Sequence, residues 1–308
     1  MKSVLDILEE NFGEKVSGEK IAEKLNVSRN AVWKNVNSLK KQGFNIQSEK
    51  NGYVLFDDVI TKNSVEKFTK RKVTVLDETD STNNYLKRME ETAKDGEIVI
   101  ARRQTEGKGR LGRSFSSPAG GIYISIFLRP EGEAEKALNI TTSCAVAAAT
   151  AIEHITGKEA KIKWVNDIFF ENKKVCGILT EAGTDVETGT LKYAVVGVGI
   201  DVYRQQNLPD EIKDIAGHLF DAPCGVINRL AAEFIDRFFY WYNNGYYINE
   251  YRKRSYLDNK TIEFAEKGET KQALVLGVNE NCGLIINENG TERILRSGEV
   301  RITKYEKE

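Results

Sequence analysis

The chain has 308 residues, 40% hydrophobic and 30% charged, with a formal net charge of −1, enough for two or three domains with real cores. Near-neutrality excludes global attraction to a polyanion, so nucleic-acid binding needs a local patch. Four scattered cysteines and two histidines disfavour a disulfide framework or a zinc site, and no stretch approaches ~18 apolar residues; the expected setting is a reducing cytoplasm, with neither export nor membrane span.

Residues 1–60 read as a small separate unit. Val4, Leu5, Ile7 and Leu8 form one apolar helix face. Ser17 suits the N-cap of a helix that turns Ile21, Ala22 and Leu25 inward. After the turn at Asn26-Val27, Ser28 caps a second helix with Val32, Val36 and Leu39 as its buried stripe. Gly43 ends that helix, and residues 44–46 and 52–55 predict a hairpin turning over 49–52. Helix, turn, helix, hairpin is the order of a winged helix-turn-helix. Residues 15–50 hold eight Lys/Arg against three Glu, a local excess of +5, which is what phosphate neutralisation requires. The second helix offers Ser28, Arg29, Asn30, Lys34, Asn35 and Asn37 as a DNA-binding set, Arg suited to guanine and Asn to adenine. A solvated helix face or a protein-interaction module is the competing reading. Trp33 is expected to pack against the wing.

Asp57-Asp58 and Thr61-Lys62-Asn63 look like a linker. From 64 to 256, strand-like runs at 73–76, 97–101, 160–165, 175–180 and 193–200 accompany helical ones at 137–155 and 226–242. They predict a mixed α+β sheet domain with helices on one face. From 259 to 308, five short β-like runs with turns at Lys267-Gly268, Asn281-Cys282-Gly283, Asn289-Gly290 and Ser297-Gly298 predict a small β-barrel.

Residues 104–113 carry the densest chemistry: Gln104, Gly107, Lys108, Gly109, Arg110, Leu111, Gly112 and Arg113 within ten positions. Glycines let backbone amides approach a ligand, and three cations need an anion to face. The spelling Gly107-x-Gly109-x-x-Gly112 matches a dinucleotide fingerprint, but a loop and a strand-like run (122–128) follow it where that fingerprint needs a helix. A Walker loop fails too, since Lys108 is followed by glycine and no glycine stands at 102. What survives is a flexible cationic loop suited to folding over a phosphate-bearing ligand. Three stretches stand beside it. Asp80-Ser81-Thr82-Asn83-Asn84 can bond a neutral polar head group or cap a helix. In residues 163–179, a strand ending in Asn166-Asp167 and a basic hairpin bring a carboxylate near a lysine. Asp167 suits Mg²⁺, and Lys174 a phosphate or carboxylate, although solvated turn lysines are the plainer reading. Gly197 and Gly199 let a ligand or another backbone approach a strand.

Together, in this order and spacing, Ser81-Thr82-Asn83, Gln104 with residues 107–113, residues 163–167, 173–179 and 197–201 and the winged helix make the whole chain resemble the bifunctional biotin protein ligase/biotin operon repressor family. The resemblance implies an α+β fold: an N-terminal winged helix-turn-helix, a catalytic domain of the biotin/lipoyl ligase type and a C-terminal SH3-like β-barrel. It implies that biotin and ATP, with Mg²⁺, give biotinyl-5′-AMP, and that the acyl group then passes to a lysine of a biotin carboxyl carrier domain. It also implies a homodimer formed on adenylate binding, and repression at operator DNA of biotin genes. By the same resemblance Ser81, Thr82, Asn83, Gln104, Lys108, Gly109, Arg110 and Lys174 bind biotin. Arg113, Asn166, Asp167 and Asp201 bind nucleotide, Asp167 holds the metal, and Lys174, Arg110 and Arg113 are catalytic. The chain departs from the family pattern at Leu111 (often arginine), Phe115 (often tryptophan), Val165 (usually proline) and Asp201 (usually asparagine). Alternatives are a ligase without a repressor role, a lipoate-type ligase, or a DNA-binding regulator whose ligand domain only senses.

Overall fold

The computed structural model describes residues 2–56, 58–130, 136–184, 190–205, 210, 212–266, 269–296 and 300–302. Asp57 and the expected turns at Lys267-Gly268 and Ser297-Gly298 lie outside them. The N-terminal unit is built from α1 (Val4–Glu9), β1 (Val16–Ser17), α2 (Gly18–Leu25), α3 (Arg29–Lys41), β2 (Ile46–Glu49) and β3 (Gly52–Leu55), with sheet order β1-β3-β2. Each helix starts where a hydroxyl satisfies a backbone donor that the helix cannot. Ser17 Oγ accepts from Lys20 N at 3.1 Å, and Ser28 Oγ from Ala31 N at 3.1 Å. Asn26 ends α2 in the left-handed region (φ 52°), a conformation asparagine tolerates. Ile7, Leu8, Ile21, Val32, Val36 and Leu55 close one small core.

The stretch 61–63 is not a linker. Thr61 caps a further helix, α4 (Lys62–Thr69), and Val65 is fully buried. Asp58, beside it, is buried and accepts from the Tyr203 hydroxyl and from Ile227 N, the latter at 2.9 Å. Asn228 bonds Thr61 N and Val59 O, each at 2.9 Å, and Glu9 accepts from Ser64 Oγ at 2.7 Å. Polar composition suggested solvation; these long-range partners instead dock the segment onto the central domain.

The central sheet uses β4 (Thr74–Leu76), β5 (Glu97–Ala101), β6 (Ile122–Leu128), β7 (Ala160–Lys163), β8 (Asp167–Phe170), β9 (Lys173–Thr184) and β10 (Leu191–Ile200) in the order β4-β5-β6-β10-β9-β8-β7. All pairs are antiparallel except β4 with β5. Helices lie on both faces, not on one as the sequence suggested. α6 (Lys136–Thr156) and α7 (Ile227–Asn244) bury Ile98, Ile100, Ile124 and Ile126. Across the sheet the short α5 (Thr82–Arg88) covers Val99, Phe127 and Val195, the alternate side chains of the same strands. Seven residues carry too weak a period for such a helix to stand out in sequence.

After α8 (Ile248–Lys253), β11 (Thr261–Glu266), β12 (Glu269–Val278), β13 (Leu284–Glu288), β14 (Thr291–Leu295) and β15 (Val300–Ile302) form an antiparallel sheet ordered β14-β13-β12-β11-β15. Its core is continuous with that of the central domain through Tyr251, Leu257, Ile262 and Phe264. Trp164 Nε1 donates to Cys282 O at 2.8 Å across the same junction. Among the described residues no helix is long and apolar enough to cross a membrane.

Candidate active site and nucleic-acid interface

One pocket gathers residues from five separated stretches of chain: 81–83, 104–115, 163–167, 174–179 and 197–199. Its floor is lined by uncharged hydrogen-bonding side chains, backed by a Lys87–Glu181 ion pair. Gln104 Oε1 accepts from Thr82 N at 2.8 Å and from Thr82 Oγ1 at 3.1 Å, while its Nε2 donates to Ser117 Oγ at 2.9 Å. Asn83 Nδ2 donates to Leu179 O and Glu181 Oε2 at 3.2 and 2.9 Å, and Lys87 Nζ holds Glu181 at 2.6 Å. Ser125 Oγ donates to Asn83 Oδ1 at 2.6 Å and lies 2.7 Å from Thr82 Oγ1. Sequence reasoning passed over Ser125, although it is the one polar residue in the apolar run of β6 and is fully buried. A buried hydroxyl needs partners, and that was the available signal.

The opposite wall is charged. Lys174 Nζ lies 2.7 Å from Asp167 Oδ1, which is buried and accepts no hydrogen bond of regular geometry. A β-bulge brings the two together. Asp167 pairs with Gly177 and Ile168 with Cys176, but Phe169 pairs with Lys174, so Val175 is the extra residue. Directly opposed residues share a face, so the bulge turns Lys174 to the side of Asp167 and Lys163 and away from the core side of Ile168 and Cys176. Arg110 NH1 donates to Asn166 Oδ1 at 3.1 Å, linking the loop to the Trp164–Asp167 corner, whose Trp164–Val165 peptide is cis. Asn166 Nδ2 donates to Ile178 O at 2.9 Å.

The loop is anchored at its base by Thr105 N to Thr79 O (3.0 Å) and Glu106 N to Asp80 O (2.8 Å). Asp80 is clamped by Arg88 at 2.8 and 3.0 Å, a pairing that holds its carboxyl well below the usual carboxylate range. Lys108 Nζ donates to Asn84 Oδ1 at 3.0 Å, and residues Arg110–Gly112 make a single 3-10 turn with Leu111 at φ 56°. The glycines serve internal contacts as well as any ligand. A Cβ on Gly107 would fall 2.3 Å from Phe115 O, and one on Gly199 would fall 2.3 Å from the Phe115 ring. Phe115 thus lies across Gly199, where the sequence suggested a ligand or another backbone.

Ser81, Thr82, Asn83, Gln104, Lys108, Gly109, Arg110, Arg113, Asn166, Asp167 and Lys174 all line the pocket, as does Val300 from the C-terminal sheet, which sequence reasoning missed. Asp201 is not in that lining. It is buried at the end of β10, takes a hydrogen bond from Gln205 Nε2 at 2.7 Å, and is pushed up to about 7 by burial despite the nearby Lys174.

On the N-terminal unit, Ser28, Arg29, Asn30, Lys34 and Asn35 are exposed on α3 and Asn37 is partly so. Asn35 turns its amide back to Ala31 O at 2.9 Å. Trp33 is not buried under the wing: it is 54% exposed and outside the local core. The wing is tied to α3 instead by Lys40 Nζ, which donates to Ser48 Oγ at 3.0 Å.

The profile of the biotin/lipoate A/B protein ligase family matches residues 75–201, and an HTH domain profile matches residues 1–54. The chain is 34% identical over 241 residues to the bifunctional ligase/repressor BirA of Bacillus subtilis, covering 74% of this chain and 73% of that one. With the Escherichia coli protein of the same description it shares 31% over 195 residues, covering 62% and 60%. The biotin protein ligase of Aquifex aeolicus, solved with biotin and ATP, superposes with a TM-score of 0.65 at 25% identity, over 75% of this chain and 99% of that one.

Proposed function

The chain belongs to the bifunctional biotin ligase/repressor family, and from that premise we propose how its pocket and winged helix divide the work. It ligates biotin to protein at the expense of ATP and represses through its N-terminal helix-turn-helix. The observation that carries the pocket's role is its polarity: a neutral hydrogen-bonding floor faces a cationic wall within one cavity. In this reading the uncharged head group of biotin meets Ser81, Thr82, Asn83 and Gln104. Its carboxylate points to Lys174 and Arg110.

Attack of that carboxylate on the α-phosphorus of ATP brings two anions together and expels pyrophosphate, giving biotinyl-5′-AMP. Lys174, Arg110 and Arg113 offset the repulsion with fixed charge. Lys108 and Gly109 close with Arg110 over the product. In the second half, the ε-amine of a carrier lysine attacks the acyl carbon and AMP leaves. Asn166 and Asp167 stand at the nucleotide, with Asp201 supporting from behind the wall. Asp167, whose Oδ1 is ion-paired with Lys174, is the carboxylate that would hold one Mg²⁺, a hard ion suited to oxygen ligands. When bound it supplies charge neutralisation to the phosphates.

We further assign residues 1–60 as the DNA-binding domain, 64–256 as the catalytic domain and 259–308 as an SH3-like barrel. Ser28, Arg29, Asn30, Lys34, Asn35 and Asn37 meet operator DNA. The adenylate-bound chain pairs as a homodimer that matches a two-fold operator; the acceptor is a biotin carboxyl carrier domain, and the setting is the cytoplasm. Ligand-dependent exchange of pyrophosphate into ATP tests the reading: exchange is expected with biotin, and exchange with lipoate but not biotin would overturn it.

A further inference from the structure

We infer that Trp33 reads DNA directly, as an apolar base-edge contact that sets sequence specificity. The inference rests on the DNA-binding reading of the winged helix. The 3.6-residue period puts Trp33 in line with Arg29, Asn30 and Asn37, on a flank of α3 beside the buried Val32 and Val36. Arg29, Asn30 and Asn37 stand one turn from Trp33 on that flank and Lys34 follows it in sequence, within a unit that carries eight basic residues against three acidic ones over positions 15–50. Trp33 is 54% exposed and lies outside the local core, so a large part of the indole is open to a partner. Charge complementarity makes the major groove the occupant of that face, and there the group an apolar ring can recognise is the thymine methyl.

A phosphate contact and a methyl contact differ in measurable ways. Losing a cation flattens the salt dependence of binding; losing an apolar base contact leaves it unchanged. The full chain, with biotin and ATP, is used to select a tight duplex from a randomised library, and that duplex and an unselected one serve as probes. Trp33→Ala is expected to bind the selected duplex roughly tenfold more weakly, with the same salt slope and the same affinity for the unselected duplex. Trp33→Phe, which keeps a ring, should fall between the two. Replacing the thymines of the selected duplex by uracil, one at a time, removes only the methyl. One such replacement should weaken the unaltered protein by a similar factor and leave Trp33→Ala indifferent. Equal uracil sensitivity in both proteins would overturn the inference, as would equal losses on both duplexes or a change confined to self-association. Failure to select any duplex would overturn the DNA-binding reading and this inference with it. The uracil series on the unaltered chain tests the contact even if a variant fails to fold.

Discussion

Asn83 occupies space that Gly197 leaves open: a Cβ on Gly197 would fall 2.3 Å from Asn83 Oδ1 and 2.9 Å from its amide carbon. Asn83 is itself fixed on both sides by Ser125, Leu179 and Glu181, so it has nowhere to retreat. Gly197→Ala is therefore expected to raise the KM for biotin tenfold or more and to cost about 1–3 kcal/mol of stability through overpacking. Calorimetric titration with biotin checks this; unchanged affinity would mean that Asn83 is not part of the biotin floor.

Lys174→Ala should abolish adenylate formation, lowering exchange by at least roughly a hundredfold, as loss of a preorganised charge does. The same change leaves the half-buried Asp167 carboxylate without its cation. Exchange at the normal rate in this variant would show that the reacting phosphate lies elsewhere.

Arg110→Gly should leave adenylate synthesis intact but release the product. The side chain links the loop to Asn166 at 3.1 Å, and without it the lid loses a fixed point. Mass spectrometry of a mixture containing an unrelated lysine-rich protein should find biotin on that bystander. Strict retention of the adenylate would count against a lid.

Stability should fall as pH rises through the neutral range. Burial pushes the Asp201 carboxyl from an ordinary 3.8 up to about 7, and burial likewise pushes Glu9 from 4.5 up to about 7. Both groups bind a proton in the native state that the unfolded chain has already lost. Their contribution is complete below the unfolded values, declines as pH climbs through about 4 to 7, and is gone above the folded values. Thermal unfolding between about pH 5 and pH 8 measures it. Asp201→Asn keeps a neutral group at that site and should flatten the curve; an unaltered slope would show that Asp201 is already ionised in the folded protein.

Tyr203→Phe should loosen the N-terminal unit while leaving the exchange rate near normal. Tyr203 sits three residues beyond Ile200, the end of β10, and its hydroxyl bonds Asp58 next to α4. Removing the hydroxyl leaves Asp58 with only the backbone donors of Gly225, Val226 and Ile227, at a cost of about 1–3 kcal/mol. Limited proteolysis around residues 56–62 reads the effect, and unchanged protection would show that the other contacts of that segment suffice.

Much of this protein was legible one residue at a time. Serine caps, the apolar stripes of α2 and α3 and the strand-like runs of the central sheet announce local structure because caps and periodicity act within a few residues. The residue types needed for phosphate, carboxylate and amide recognition were equally visible, since their chemistry does not depend on what surrounds them. Long-range partners were not. Asp58 and Thr61 read as linker because a polar residue looks solvated until its distant acceptor or donor is known. Trp33 was expected to be covered because an indole usually is, and only the packed domain shows that α3 turns it outward. Ser125 carried no motif, and its value comes from two neighbours more than forty positions away.

Lys174 and Asp167 mark the boundary most sharply. Their identities and seven-position separation are written in the chain, but regular strand alternation would have put the lysine on the buried face. One extra residue, Val175, reverses that. A bulge is a property of how two strands register against each other, so facing was decided by the sheet and not by the order of residues.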